Sequence, residues 1–122
     1  MKIKNIKFKA KQLNSGKWFE GDLVRLGNRV CIGGDHIKDG ITDVDPSTVC
    51  MFTGLKDCKG NEIWEGDIIK SPYLGNVAIV EWDDSLCGFK CVDDRRRINY
   101  SLKALVESSV WSLIGNKFDE EK

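Results

Sequence analysis

The chain has 122 residues, 41% of them hydrophobic and 31% charged, and its 19 basic and 19 acidic side chains leave a formal net charge of zero. That length suits one domain of ordinary size with its own core, and the composition excludes a disordered chain. Zero net charge argues against nucleic-acid binding driven by bulk charge and leaves only a local patch for that purpose.

The charges are unevenly placed. Lys2 to Lys17 contains six lysines and no acid, whereas Asp35 to Asp45 holds four aspartates. A solvated face is the simplest reading; pairing within the chain, or steering of two copies together, is the other use of such asymmetry.

The dominant period along the chain is two. Ile6, Phe8 and Ala10 alternate with Lys7, Lys9 and Lys11, the pattern of a strand with one wet face. Asn14-Ser15-Gly16 predicts a turn, and Lys17-Trp18-Phe19 the returning strand. Leu23–Leu26 and Val30–Ile32 flank Gly27-Asn28-Arg29 as a second hairpin. From Gly33 to Thr48 the glycines, Pro46 and aspartates predict a long loop with a short ordered stretch.

Val49–Thr53 resumes as a strand, and Asp57–Asn61 is a turn in which Gly60 supplies positive φ and Asp57 or Asn61 bonds neighbouring amides. Ile68–Lys70 predicts a strand, 71–76 a loop, and Val77–Trp82 the clearest strand of all. Asp83-Asp84-Ser85 turns that strand back into Phe89–Val92. Leu102, Leu105 and Val106 have helical spacing behind Ser101 as N-cap, and Val110–Ile114 closes as a strand ended by Gly115-Asn116. Many short strands and one short helix predict a mainly β (β-rich α+β) domain, a sandwich or small barrel. A single domain over 1–122 is expected, with a possible division into 1–48 and 49–122.

Five cysteines (Cys31, Cys50, Cys58, Cys87 and Cys91) make an odd number, lysines interrupt the amino-terminal stretch where a signal peptide would be continuously apolar, and no run approaches the roughly 18 apolar residues of a membrane span. Reduced thiols in a cytoplasm, with no membrane partner, are the expectation.

One phrase occurs twice. Trp18-Phe19-Glu20-Gly21-Asp22-Leu23-Val24-Arg25 and Trp64-Glu65-Gly66-Asp67-Ile68-Ile69-Lys70 each run from an aromatic through Glu-Gly-Asp to two aliphatics and a base. Two acidic pairs invite a metal or acid–base reading, which requires carboxylates converging on one point. The structural reading is favoured: glycine permits a tight bend, and Asp22 or Asp67 accepts a backbone amide as the next strand begins. Trp18 and Trp64 then plug the core. Trp82 and Trp111 are also assigned mainly to the core, with one of the four tryptophans free to serve a subunit interface.

Other candidates are weaker. Cys87 and Cys91 are spaced for zinc without a second pair, and His36, the one histidine, has no motif that would join it to a cysteine nucleophile. A calcium loop starting at Asp35 fails at its third position, Ile37. Arg95-Arg96-Arg97 is the most binding-like run: beside Phe89 or Tyr100 it could hold phosphates while an aromatic stacks on a base, although Asp93-Asp94 adjoin it. No catalytic residue, cofactor or metal is assigned.

Ile6–Ala10 with Lys17–Asp22, the run Phe52–Asp57 with Lys59–Ile69, and Trp111–Asn116 form three blocks. Together they resemble the YopX family of phage and prophage proteins. Lys9, where an arginine is usual, and Cys58 in the polar turn are departures from the family pattern. The resemblance implies a β-rich fold with a barrel-like carboxy-terminal half and frequent self-association. It supplies no biochemical role. The expectation is therefore a non-enzymatic cytoplasmic protein acting by binding, a self-associating interaction module or one that meets a host or phage protein. The alternative is a nucleic-acid accessory protein using Arg95–Arg97.

Overall fold

In the computed structural model the described residues are 2–71, 77–93, 99–103 and 111–119. They form two compact units, Met1–Phe52 and Thr53–Lys122, whose boundary falls inside one strand.

In the first unit β1 (Phe8–Lys11), β2 (Trp18–Leu26), β3 (Arg29–Gly33), β4 (Ile41–Asp43) and the start of β5 (Cys50–Lys56) lie in the order β4-β3-β2-β1-β5. Each neighbouring pair is antiparallel. The β1 alternation buries Ala10 against Ile32, Ile37 and Val44, with Phe8, Phe19, Leu23, Val30 and Val49 packed around them. Lysines on β1 stand over aromatic faces, Lys7 at 4.8 Å from the Phe52 ring centroid and Lys9 at 4.6 Å from that of Trp18. Leu26 pairs with Arg29, so β2 and β3 close through Gly27-Asn28, and Gly27 holds the φ of +60° that the first position of a tight hairpin turn demands.

The predicted loop after Gly33 contains more order than its composition suggests. Short 3-10 turns at Lys38–Gly40 and Pro46–Thr48 bracket β4. Asp45 caps the second by accepting from the Ser47 amide at 3.0 Å, and Thr48 accepts from the Lys11 amide at 2.9 Å. Asp43 pairs with Arg29 at 2.9 Å. Two of the four loop aspartates are thus fastened to the fold.

Gly21 lies inside β2, and a Cβ built there would collide with the main-chain carbonyl oxygen of Gly33. That oxygen cannot rotate away. Gly21→Ala is therefore expected to force β2 and β3 apart and to lower stability by about 1–3 kcal/mol, read as a shift in urea midpoint at unchanged slope.

In the second unit the rest of β5 turns through Asp57–Asn61 into β6 (Glu62–Trp64). β7 (Asp67–Lys70), β8 (Val77–Asp83), β9 (Gly88–Asp93), β10 (Asn99–Ser101) and β11 (Ser112–Asn116) form an antiparallel sheet in the order β10-β9-β8-β7-β11. Ile63, Ile69, Ala78, Val80, Cys91 and Leu102 make its core.

The mainly β expectation holds. The barrel-like half is instead an open sheet: among the described residues β10 and β11 stand at opposite edges and do not pair. A small barrel needs strands long enough to tilt and stagger around the axis, and a three-residue β10 is too short for that. Ser101, expected as a helix cap, pairs with Lys90 at the end of β10. Leu102 and Lys103 are helical, while Leu105 and Val106 lie outside the described residues.

Candidate functional site

The two Glu-Gly-Asp phrases perform different tasks. In the second copy Gly66 has φ +85°, turning β6 into β7. Its amide donates to the Val80 carbonyl at 2.8 Å and its carbonyl accepts from the Lys117 amide at 2.9 Å. Asp67, 1% exposed, accepts the Trp64 amide at 2.7 Å and the Asn116 side-chain amide at 2.9 Å. This copy sews the start of β7 to the end of β11.

In the first copy Trp18 opens β2 while Gly21 and Asp22 lie inside it, and Glu20 and Asp22 are exposed. These carboxylates border a cleft of about 500 Å³ on the first unit, which Ile3, Lys4, Ile6, Lys7 and His36 also line. Lys7 pairs with Glu20 at 3.3 Å, and His36 Nε2 lies 2.6 Å from the Glu20 carbonyl oxygen. His36 therefore serves to hold the rim of the cleft against β2. Ile3 and Ile6 are exposed beside it.

The cysteines do not converge. Cys91 is in the core, where burial pushes its thiol pKa up to about 12. Cys87 is exposed in the β8–β9 turn. Burial, reinforced by donation to Asp43 Oδ1 at 3.1 Å, also raises the pKa of Cys31. Such thiols hold their protons and are poor nucleophiles. Among the described residues no three His, Cys, Asp or Glu side chains are grouped to hold a metal.

Among the described residues the β8–β9 hairpin tip is the second unit's most exposed apolar feature, and its Leu86 carried no expectation from the sequence. Its turn is rigidly built. Asp83 accepts from the Ser85 hydroxyl, pairs with Lys90 at 2.9 Å and accepts the Ser85 amide at 2.8 Å. These contacts, the Ser85 hydroxyl foremost, hold its carboxyl well below the usual carboxylate range. Cys87 takes φ +50°, and its amide donates to the Asp84 carbonyl at 3.3 Å. On this frame Leu86 is 66% exposed and Trp82 44% exposed. The indole is fixed edge-on to Phe89, centroids 5.2 Å apart, and donates to Asp84 Oδ1 at 2.7 Å.

Arg95, Arg96 and Arg97 lie outside the described residues, as does the side chain of Tyr100. Among the described residues no helix is long and apolar enough to cross a membrane.

Comparison with known families matches the one described as YopX protein over residues 4–121. The chain belongs to the YopX protein family. Comparison with curated proteins finds no match. The YopX match spans both units and takes in the hairpin tip and, apart from Ile3, the lining of the cleft. The signal for the tip was Leu86, a large apolar residue among the polar turn formers Asp83-Asp84-Ser85, where a plain hairpin turn has no use for one.

Proposed function

We propose that this YopX-family chain is a non-enzymatic phage or prophage protein of the bacterial cytoplasm that acts by binding and self-associates through the β8–β9 hairpin tip. The observation that carries the reading is the exposure of Leu86 and Trp82 on a turn held by Asp83 and Asp84. Aromatic anchors dominate the energetics of protein interfaces, and a fixed indole loses little entropy on docking. Support for a non-enzymatic role comes from the groups that chemistry would need: His36 is engaged with a backbone carbonyl, and Cys31 and Cys91 hold their protons. The phage setting rests on the resemblance to phage and prophage YopX proteins.

Light scattering on the full chain tests the proposal. The expected mass exceeds the 13.8 kDa of a monomer and returns to it in Leu86→Ser, with the melting temperature unchanged because that side chain is outside the core. Wild-type protein that stays monomeric at every concentration would overturn self-association. Retention of that monomer on DNA or RNA at about 50 mM salt, lost as salt rises, would favour the nucleic-acid role in its place.

A further inference from the structure

We infer that the hairpin tip of one copy docks into the first-unit cleft of a second copy, so that self-association is head-to-tail. This rests on the self-association just proposed and names the surface that receives the tip.

Three observations select a second copy as the occupant. The first is charge. The hairpin end carries Glu81, Asp83 and Asp84 against one base, Lys90, which pairs with Asp83, whereas residues 2–11 carry five lysines and no acid. Lys4 forms no ion pair among the described residues, and it lines the cleft. Glu81 and Asp84 of the tip are drawn toward Lys4 and the lysine-rich stretch that carries it, which sets the orientation of docking. The second is matched apolar surface. Ile3 is 86% exposed at the cleft and Leu86 66% exposed at the tip, so each leaves a large aliphatic group in water that the other would cover. The third is size. The cleft is open and about 500 Å³ in volume, room for the four-residue turn led by Leu86 to lie against it.

The cleft's own acids qualify the match in an informative way. Glu20 is already neutralised by Lys7, leaving Asp22 as the lining carboxylate that opposes an acidic visitor. The contact is therefore steered by charge but held by Leu86, Trp82, Ile3 and Ile6. Because donor and acceptor surfaces differ, the contact is heterologous, and repetition closes a ring or extends a filament.

Complementation between two variants tests this. Leu86→Arg spoils the tip and leaves the cleft intact; Ile3→Ser combined with Lys4→Glu spoils the cleft and leaves the tip intact. All three positions are exposed, so both proteins are expected to melt like wild type. Each variant alone should run as a monomer, and an equimolar mixture should form a 1:1 dimer through its one working contact, weakening as salt rises. If the cleft variant assembles like wild type, the tip meets another tip: the head-to-tail inference falls while the self-association reading stands. A mixture that stays monomeric, from variants whose parent associates, would also overturn it. A wild-type chain that is itself monomeric removes both.

Discussion

Asp67→Ala is expected to lower the unfolding free energy by about 3–5 kcal/mol, a large loss for a single polar side chain. The carboxylate is 1% exposed and accepts the Trp64 amide and the Asn116 side-chain amide. Charge-assisted hydrogen bonds of this kind contribute about 1.5–3 kcal/mol each, and removing the acceptor takes this partner from two buried donors, while the Asn116 amide keeps a longer bond to the Glu65 carbonyl at 3.3 Å. The damage would not stay local, since Asn116 ends β11 and Trp64 ends β6. Asp67→Asn should cost less, because one carbonyl oxygen remains for one of the two donors. Urea denaturation followed by tryptophan fluorescence measures both. An Asp67→Ala variant as stable as wild type would show that the junction is not what holds β7 to β11.

Asp57→Ala should cost about 2–4 kcal/mol and also change how the fold responds to acid. Its Oδ1 accepts the Lys59 and Asn61 amides at 2.9 and 2.8 Å, and its Oδ2 accepts the Leu113 amide at 2.9 Å and the Asn61 side chain at 3.1 Å. Burial by itself would raise this carboxyl's pKa, but the hydrogen bonds from Leu113, Asn61 and Lys59 outweigh burial and leave it lowered. A lowered folded-state pKa means that the unfolded chain binds more protons in the window between the two values. Stability therefore rises with pH there. Asp57 contributes in full above the unfolded carboxylate value near 3.9 and loses its contribution as pH falls through the folded one. Asp57→Asn should accordingly flatten the stability profile below about pH 4. Urea midpoints taken from neutral pH downward check this, and a variant profile that keeps the wild-type steepness would exclude Asp57 as a source of acid sensitivity.

These two aspartates show how much of the molecule could be read from the chain. The Asp57 turn was legible because its determinants are local: a glycine with positive φ and an Asx side chain within four residues of the amides it binds. The Leu113 amide, fifty-six positions away, was not. The Glu-Gly-Asp repeat was legible as a phrase but not as two different structures. At Gly66 the chain bends, whereas at Gly21 it runs straight and needs glycine only because the Gly33 carbonyl approaches so closely. A Cβ-free position looks the same in sequence whether it serves a dihedral or a clearance.

The sequence by itself determined the mainly β class, the hairpins around Gly27-Asn28-Arg29 and Asp83-Asp84-Ser85, and membership of the YopX protein family over residues 4–121. Those properties follow from alternation, turn chemistry and a phrase carried in contiguous residues, all of them short-range. Only the tertiary structure decided that the second sheet stays open, that β4 forms within the aspartate loop, and that Ile3, Ile6 and His36 meet the first phrase around one cleft. It also decided that Trp82 and Leu86 stand outside the core. Each of these depends on which strand ends are covered by which neighbours. Coverage is a sum over residues distant in sequence, so no local pattern encodes it.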